Sequence, residues 1–137
     1  MVERELVWPA GWRLSVETLT CGRGCCRWES RTIALDRRCT PAEAQATLAH
    51  EAIHASRGPC PGWARAGEEA TVHQLAARAL IADDRLASEL AWSPDPRVIA
   101  WDLQVTGDLV DARLASLDPD EHARLWADTA HHRDSGA

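Results

Sequence analysis

The sequence predicts an α+β domain, with short strands and turns in the first 39 residues and helices through the rest. Three observations carry this. Trp12-Arg13-Leu14-Ser15-Val16-Glu17 alternates apolar and polar, the period of a half-buried strand. Thr40-Pro41-Ala42-Glu43 then places a hydroxyl at an N-cap, proline at the first helical position, and glutamate where it closes a capping box. Further on, Val72, Leu75, Ala76, Ala79 and Leu80 recur at the i, i+3, i+4, i+7, i+8 spacing of a core-facing stripe.

Taken in order, a strand over 12–17 leads into the glycine-bearing turn Cys21-Gly22-Arg23-Gly24. A second strand is expected from about Arg27 to Leu35, with Trp28, Ile33 and Leu35 facing inward. The two strands would pair as a hairpin or small antiparallel sheet. The capped helix should run through His54 and stop near Gly58-Pro59, with Cys60-Pro61-Gly62 continuing the break as a loop. A second helix opens near 66–69 and reaches about Ala82. Short helices follow over about 83–92, 95–104, 107–116 and 119–131, broken at Ser93-Pro94 and Asp118-Pro119. The last five or so residues should fray.

Composition bounds the class. The 137 residues suit one compact domain, and 45% hydrophobic content excludes wholesale disorder. A net charge of −6 argues against sequence-wide attraction to nucleic acid or an anionic membrane. No apolar run approaches the roughly 18–20 residues of a membrane span. Met1-Val2-Glu3-Arg4-Glu5 lacks the charged-then-apolar pattern of a secretory signal. Five cysteines, an odd number without an export signal, predict reduced thiols in a cytoplasm. All 15 basic residues are Arg, and Lys, Asn, Phe and Tyr are absent, a pattern read as GC-rich coding bias.

The chemistry lies in Thr47-Leu48-Ala49-His50-Glu51-Ala52-Ile53-His54, which contains HExxH. Residues four apart on a helix share a face, so His50 and His54 can aim two imidazoles at one ion. Glu51 lies about 100° around the helix from His50, flanking the ion as a general base that takes a proton from water. Random placement of this composition yields on the order of 0.02 such motifs, so chance explains it poorly. The bland alternative is a surface helix with two solvated histidines.

A catalytic zinc needs a third protein ligand. Glu68 and Glu69 open the second helix, where acidic residues also complement the helix dipole. Glu69 shares a flank with Val72 and Ala76 of the buried stripe, whereas Glu68 falls nearer the outer side, so Glu69 is the expected ligand. His73, one turn later, is expected to act catalytically. It could orient the Glu69 carboxylate, line the pocket, stabilise the oxyanion, or serve as a fourth or alternative ligand. His122, His131 and His132 would assist only if the C-terminus folds back, and are otherwise solvated.

Thr47 to His54, followed by Glu68-Glu69 and Leu75-Ala76-Ala77-Arg78-Ala79-Leu80-Ile81, resembles the ImmA/IrrE family of metallopeptidases, particularly the small versions of phages and mobile elements in GC-rich bacteria. Arg31-Thr32-Ile33-Ala34-Leu35-Asp36 before the active helix matches as well, and the resemblance covers about residues 27–82. It implies a zincin-like fold with Zn2+ held by His50, His54 and Glu69 and with Glu51 as general base. It further implies cytoplasmic cleavage of a specific protein, often a helix-turn-helix repressor. The chain departs from the family where His73 stands in place of Asn or Asp, and Ala82 in place of Pro.

The expected organisation is therefore a zincin-like metallopeptidase core over 1–92 and a helical extension over 93–137 packed on it. The alternative function is a zinc-stabilised regulatory or binding module with little peptidase activity. Cys21, Cys25, Cys26 and Cys39 lack two-by-two zinc spacing and are expected as small buried hydrophobes. Residues 97–117 resemble a helix-turn-helix, yet Asp108 and Asp111 oppose only Arg113, so packing on the core or holding a protein substrate is favoured over DNA binding.

Overall fold

The computed structural model describes residues 7–135; the expectations for residues 1–5 and for the last two positions of the frayed end lie outside them. Strands β1 (Arg13–Glu17), β2 (Gly24–Arg27) and β3 (Thr32–Asp36) precede six helices. The sheet order is β1-β3-β2. β1 runs parallel to β3, pairing Leu14 with Ile33 and Val16 with Leu35, while β2 runs antiparallel to β3 and pairs Cys26 with Ile33.

This corrects the antiparallel expectation: the sheet is mixed. The stretch read as one strand, Arg27 to Leu35, is cut by a turn in which the Arg31 N–H donates to the Trp28 carbonyl. Arg31 adopts the left-handed region at φ 49°, which a non-glycine residue does not advertise in sequence. The hairpin is therefore β2–β3, and β1 joins the far edge of β3. Trp28, expected to point inward, sits in that turn at 37% exposure, its ring edge-on to Trp12.

One sheet face carries Leu14, Val16, Ile33, Leu35, Gly24 and Cys26 in register. Helix α1 (Pro41–Arg57) lies over β2 and β3 on that face. Ile33 and Leu35 are buried beneath it, while Leu14 and Val16 on the uncovered strand remain about half exposed. On the other face the Arg27 guanidinium reaches across Ala34 to Glu17, and Ser15 Oγ donates to Glu17 at 2.7 Å. These polar side chains roof the outer face of β3.

Helix α1 has the predicted capping box: the Glu43 N–H donates to Thr40 Oγ1 at 3.1 Å and the Thr40 N–H to Glu43 Oε1 at 3.0 Å. It ends at Gly58, whose φ of 92° suits only glycine. A 3-10 turn, Gly62–Ala64, leads into α2 (Arg65–Leu80), which buries Val72, Ala76 and Ala77. Then come α3 (Asp83–Trp92), α4 (Pro96–Leu103), α5 (Gly107–Ala115) and α6 (Pro119–Ser135). The segment expected to fray is helical through Ser135.

A single aliphatic cluster runs from Ala49 on α1 through Ile81, Leu86, Ile99 and Val110 to Leu125 on α6. It crosses position 92, with α3 packing on α6 and α5 on α2. Helices α4 and α5 pack on each other across a turn at Gln104, φ 56°, and α5 buries Leu109, Val110 and Arg113. Arg113 Nε donates to the Ile81 carbonyl at 2.9 Å, and its guanidinium pairs with Asp83. None of the five cysteines is buried, correcting that expectation: Cys21 and Cys25 are exposed, and Cys26, Cys39 and Cys60 half-buried. They fall on the edge strand and in turns, outside the helical core. Among the described residues, no helix is long and apolar enough to cross a membrane.

Candidate metal centre

Helix periodicity brings His50 and His54 to one face of α1, one turn apart, with their Nε2 atoms 3.1 Å from each other. The chain leaves α1 at Gly58 and returns as α2, whose first turns lie against α1. Glu69 spans the two histidines, Oε2 at 2.9 Å from His50 Nε2 and Oε1 at 2.9 Å from His54 Nε2. Among the described residues these three form the one cluster with metal-ligand character, its ligand atoms all within 4.8 Å of each other.

The donor set fits zinc. Tetrahedral zinc with bonds of about 2.0–2.1 Å separates its ligand atoms by roughly 3.3 Å; the two Nε2 atoms are 3.1 Å apart, and each lies 2.9 Å from a different oxygen of the Glu69 carboxylate. Nor can all three contacts be hydrogen bonds between two neutral imidazoles and a carboxylate. Each Nε2 carries at most one proton, so three contacts share at most two hydrogens. A cation among them satisfies all three lone pairs together.

Glu69 meets the histidines as expected, but Glu68 is not on the outer side: its side chain is 16% exposed against 50% for Glu69. Glu68 is held by Arg57, with Nε to Oε1 at 2.6 Å and Nη2 to Oε2 at 3.1 Å, leaving Glu69 to reach the histidines. Partial burial raises the Glu69 carboxyl, but hydrogen bonds and charge from His50 and His54 outweigh it and set its pKa below the usual value.

Glu51 lies between two recesses. The larger, 440 Å³, is lined by Cys25, Cys26, Trp28, His54, Cys60, Arg65 and Glu69 among others. The smaller, 270 Å³, is lined by Arg23, Thr47, His50, His73, Thr106 and Asp108 among others. Both share Gly24 and Glu51, so the candidate base adjoins each of them.

His73 is not part of the three-residue cluster. Its ring lies 6.4 Å from that of His50, and its Nε2 is 3.9 Å from Asp108 Oδ2 on α5. It therefore faces the smaller recess. His122 accepts a hydrogen bond from Trp126 Nε1 at 3.0 Å, and neither recess is lined by His122, His131 or His132.

Sequence reasoning missed Cys26. Its Sγ lies 3.3 Å from Glu51 Oε2 and 3.3 Å from the Glu51 carbonyl oxygen. Burial pushes this thiol well above its ordinary range, and the Glu51 carboxylate adds to the shift, so Cys26 is a protonated donor. The alternation of β2 places Cys26 on the face of Gly24, but nothing local says that this face meets α1.

Comparison with protein-family models, with curated proteins and with solved structures finds no match to this chain.

Proposed function

We propose that this protein is a zinc-dependent endopeptidase of the ImmA/IrrE kind that its central segment resembles, acting in the cytoplasm on one specific protein, a helix-turn-helix repressor or similar regulator. The observation that carries this is the convergence of His50, His54 and Glu69 with Glu51 beside them, on the wall of two recesses. His50, His54 and Glu69 would hold the ion. When bound, zinc supplies Lewis acidity for a peptide carbonyl and for water at this site.

Glu51 takes a proton from the attacking water onto its carboxylate and returns it to the leaving amine. Its place next to His50 in sequence, but about 100° around the helix, keeps it beside the ligands without joining them. The recesses on either side would receive the chain flanking the scissile bond. His73, which lines the smaller recess, would donate toward the carbonyl oxygen of a peptide lying there.

Elemental analysis of protein prepared without a histidine tag tests the reading. About one zinc per chain is expected, reduced in both His54→Ala and Glu69→Ala. Glu51→Gln should retain the metal and abolish cleavage of the regulator. Zinc that survives both ligand changes would direct attention to the cysteines, and no zinc after supplementation would end the peptidase reading. A Glu51→Gln protein with zinc and an undiminished biological effect would favour the regulatory module.

A further inference from the structure

β2 approaches α1 so closely that a Cβ at Gly24 would stand 2.5 Å from Thr47 Cγ2 and 3.5 Å from Glu51 Cγ. Two residues on, the same strand face presents Cys26 to Glu51. The thiol has one hydrogen and two acceptors in reach, the carboxylate Oε2 and the main-chain carbonyl, each at 3.3 Å. The carbonyl lies in mid-helix and already accepts the N–H four residues on. The carboxylate is charged, and charged acceptors make the stronger bond.

We propose that Cys26 is the positioning residue of Glu51, its S–H donating to Oε2 and fixing the carboxylate between the two recesses. With Oε2 so engaged, proton transfer falls to Oε1. A thiol suits the task because it donates weakly and carries no charge. An arginine or lysine there would neutralise the base. The inference rests on the reading of Glu51 as general base, but the Cys26–Glu51 contact itself needs no metal.

The S–H stretching band of the full chain in the infrared decides it. Cys26→Ser should remove one band and thereby assign it, at lower wavenumber than the bands of the exposed Cys21 and Cys25 thiols. Glu51→Ala should move the Cys26 band to higher wavenumber, since only the engaged main-chain carbonyl is then left in reach. A Cys26 band that Glu51→Ala leaves unmoved means that the thiol donates to the main chain, and overturns the proposal. On a peptide that the zinc-loaded protein cleaves, Cys26→Ala should lower kcat about three- to tenfold, the worth of one modest hydrogen bond. KM and zinc content should hold, and Cys26→Ser should restore the rate. A raised KM with unchanged kcat would likewise overturn it. Failure of the peptidase reading is distinguishable: zinc would then be absent while the infrared shift persisted.

Discussion

Arg57, the last residue of α1, grips Glu68 in the first turn of α2 with two prongs, Nε to Oε1 at 2.6 Å and Nη2 to Oε2 at 3.1 Å. Glu68 adjoins Glu69 in sequence, so this pair sets where α2 begins relative to α1 and hence how Glu69 meets His50 and His54. Exposed ion pairs contribute little to folding, so the consequence is expected at the metal. Arg57→Ala and Glu68→Ala should each weaken zinc binding by about tenfold, the usual scale for residues that orient ligands. Thermal midpoints without metal should hardly move. The exchange Arg57→Glu with Glu68→Arg should recover part of the affinity. Chelator competition measures all three affinities, and unchanged affinity in both single variants would remove the pair from the site.

Zinc should also act on folding. Its three proposed ligands come from α1 and α2, which are separate segments of an unfolded chain, so binding favours the folded state. At free zinc about 100 times the dissociation constant, the gain is about 2.7 kcal/mol. Differential scanning fluorimetry should show a midpoint that rises with zinc and falls on chelation, with His50→Ala abolishing the response. A response that persists in His50→Ala would place the ion elsewhere.

What was legible in the sequence was local. Thr40, Glu43 and Gly58 punctuate α1 through contacts within four residues of each other, and each is where the spacing places it. His50, Glu51 and His54 share one helix, so their relation follows from pitch alone. Glu69 was legible as the residue that meets the histidines, but Glu68, read as the outer one, is the more buried of the two because Arg57 closes on it, a contact between helices that phase alone does not give. The sheet was not legible, since pairing is decided by partners distant in sequence. Arg31 turns the chain without glycine or proline, so two strands read as one and the parallel β1–β3 pair went unforeseen. Cys26 was hidden for the same reason: its role depends on which element β2 packs against.

Gly24 marks the closest approach of strand and helix. A Cβ there would lie 2.5 Å from Thr47 Cγ2 and 2.9 Å from the Ala34 carbonyl oxygen. The first contact is a side-chain methyl, but the second is backbone of the central strand and has little freedom to move. Gly24→Ala should therefore destabilise the fold by about 1–3 kcal/mol, as overpacking does. Adding Thr47→Ala should recover only part of the loss. Denaturant midpoints measure both, and a Gly24→Ala protein as stable as the parent would mean that β2 does not seat on α1 this closely.

The link between α2 and α6 should depend on acidity. Arg78 Nη1 lies 2.7 Å from Glu121 Oε2 and Nη2 3.0 Å from Oε1. The guanidinium is the chief reason the Glu121 carboxyl falls from its usual 4.5 to about 2, with the Asp118 N-terminal contacts adding to it. A carboxyl with a depressed folded-state pKa contributes stability that is fully present above the unfolded value and disappears as pH falls through the folded one. The window here runs from about 4.5 down to about 2. Arg78 also donates to the Ser116 carbonyl, a contact that does not titrate and so gives a constant offset. The stability difference between the parent protein and Arg78→Met should therefore be larger at neutral pH than near pH 2, where most of the titrating part is gone. Urea unfolding at the two acidities measures it, and an equal difference at both would mean that the Glu121 charge contributes nothing to holding α6 against α2.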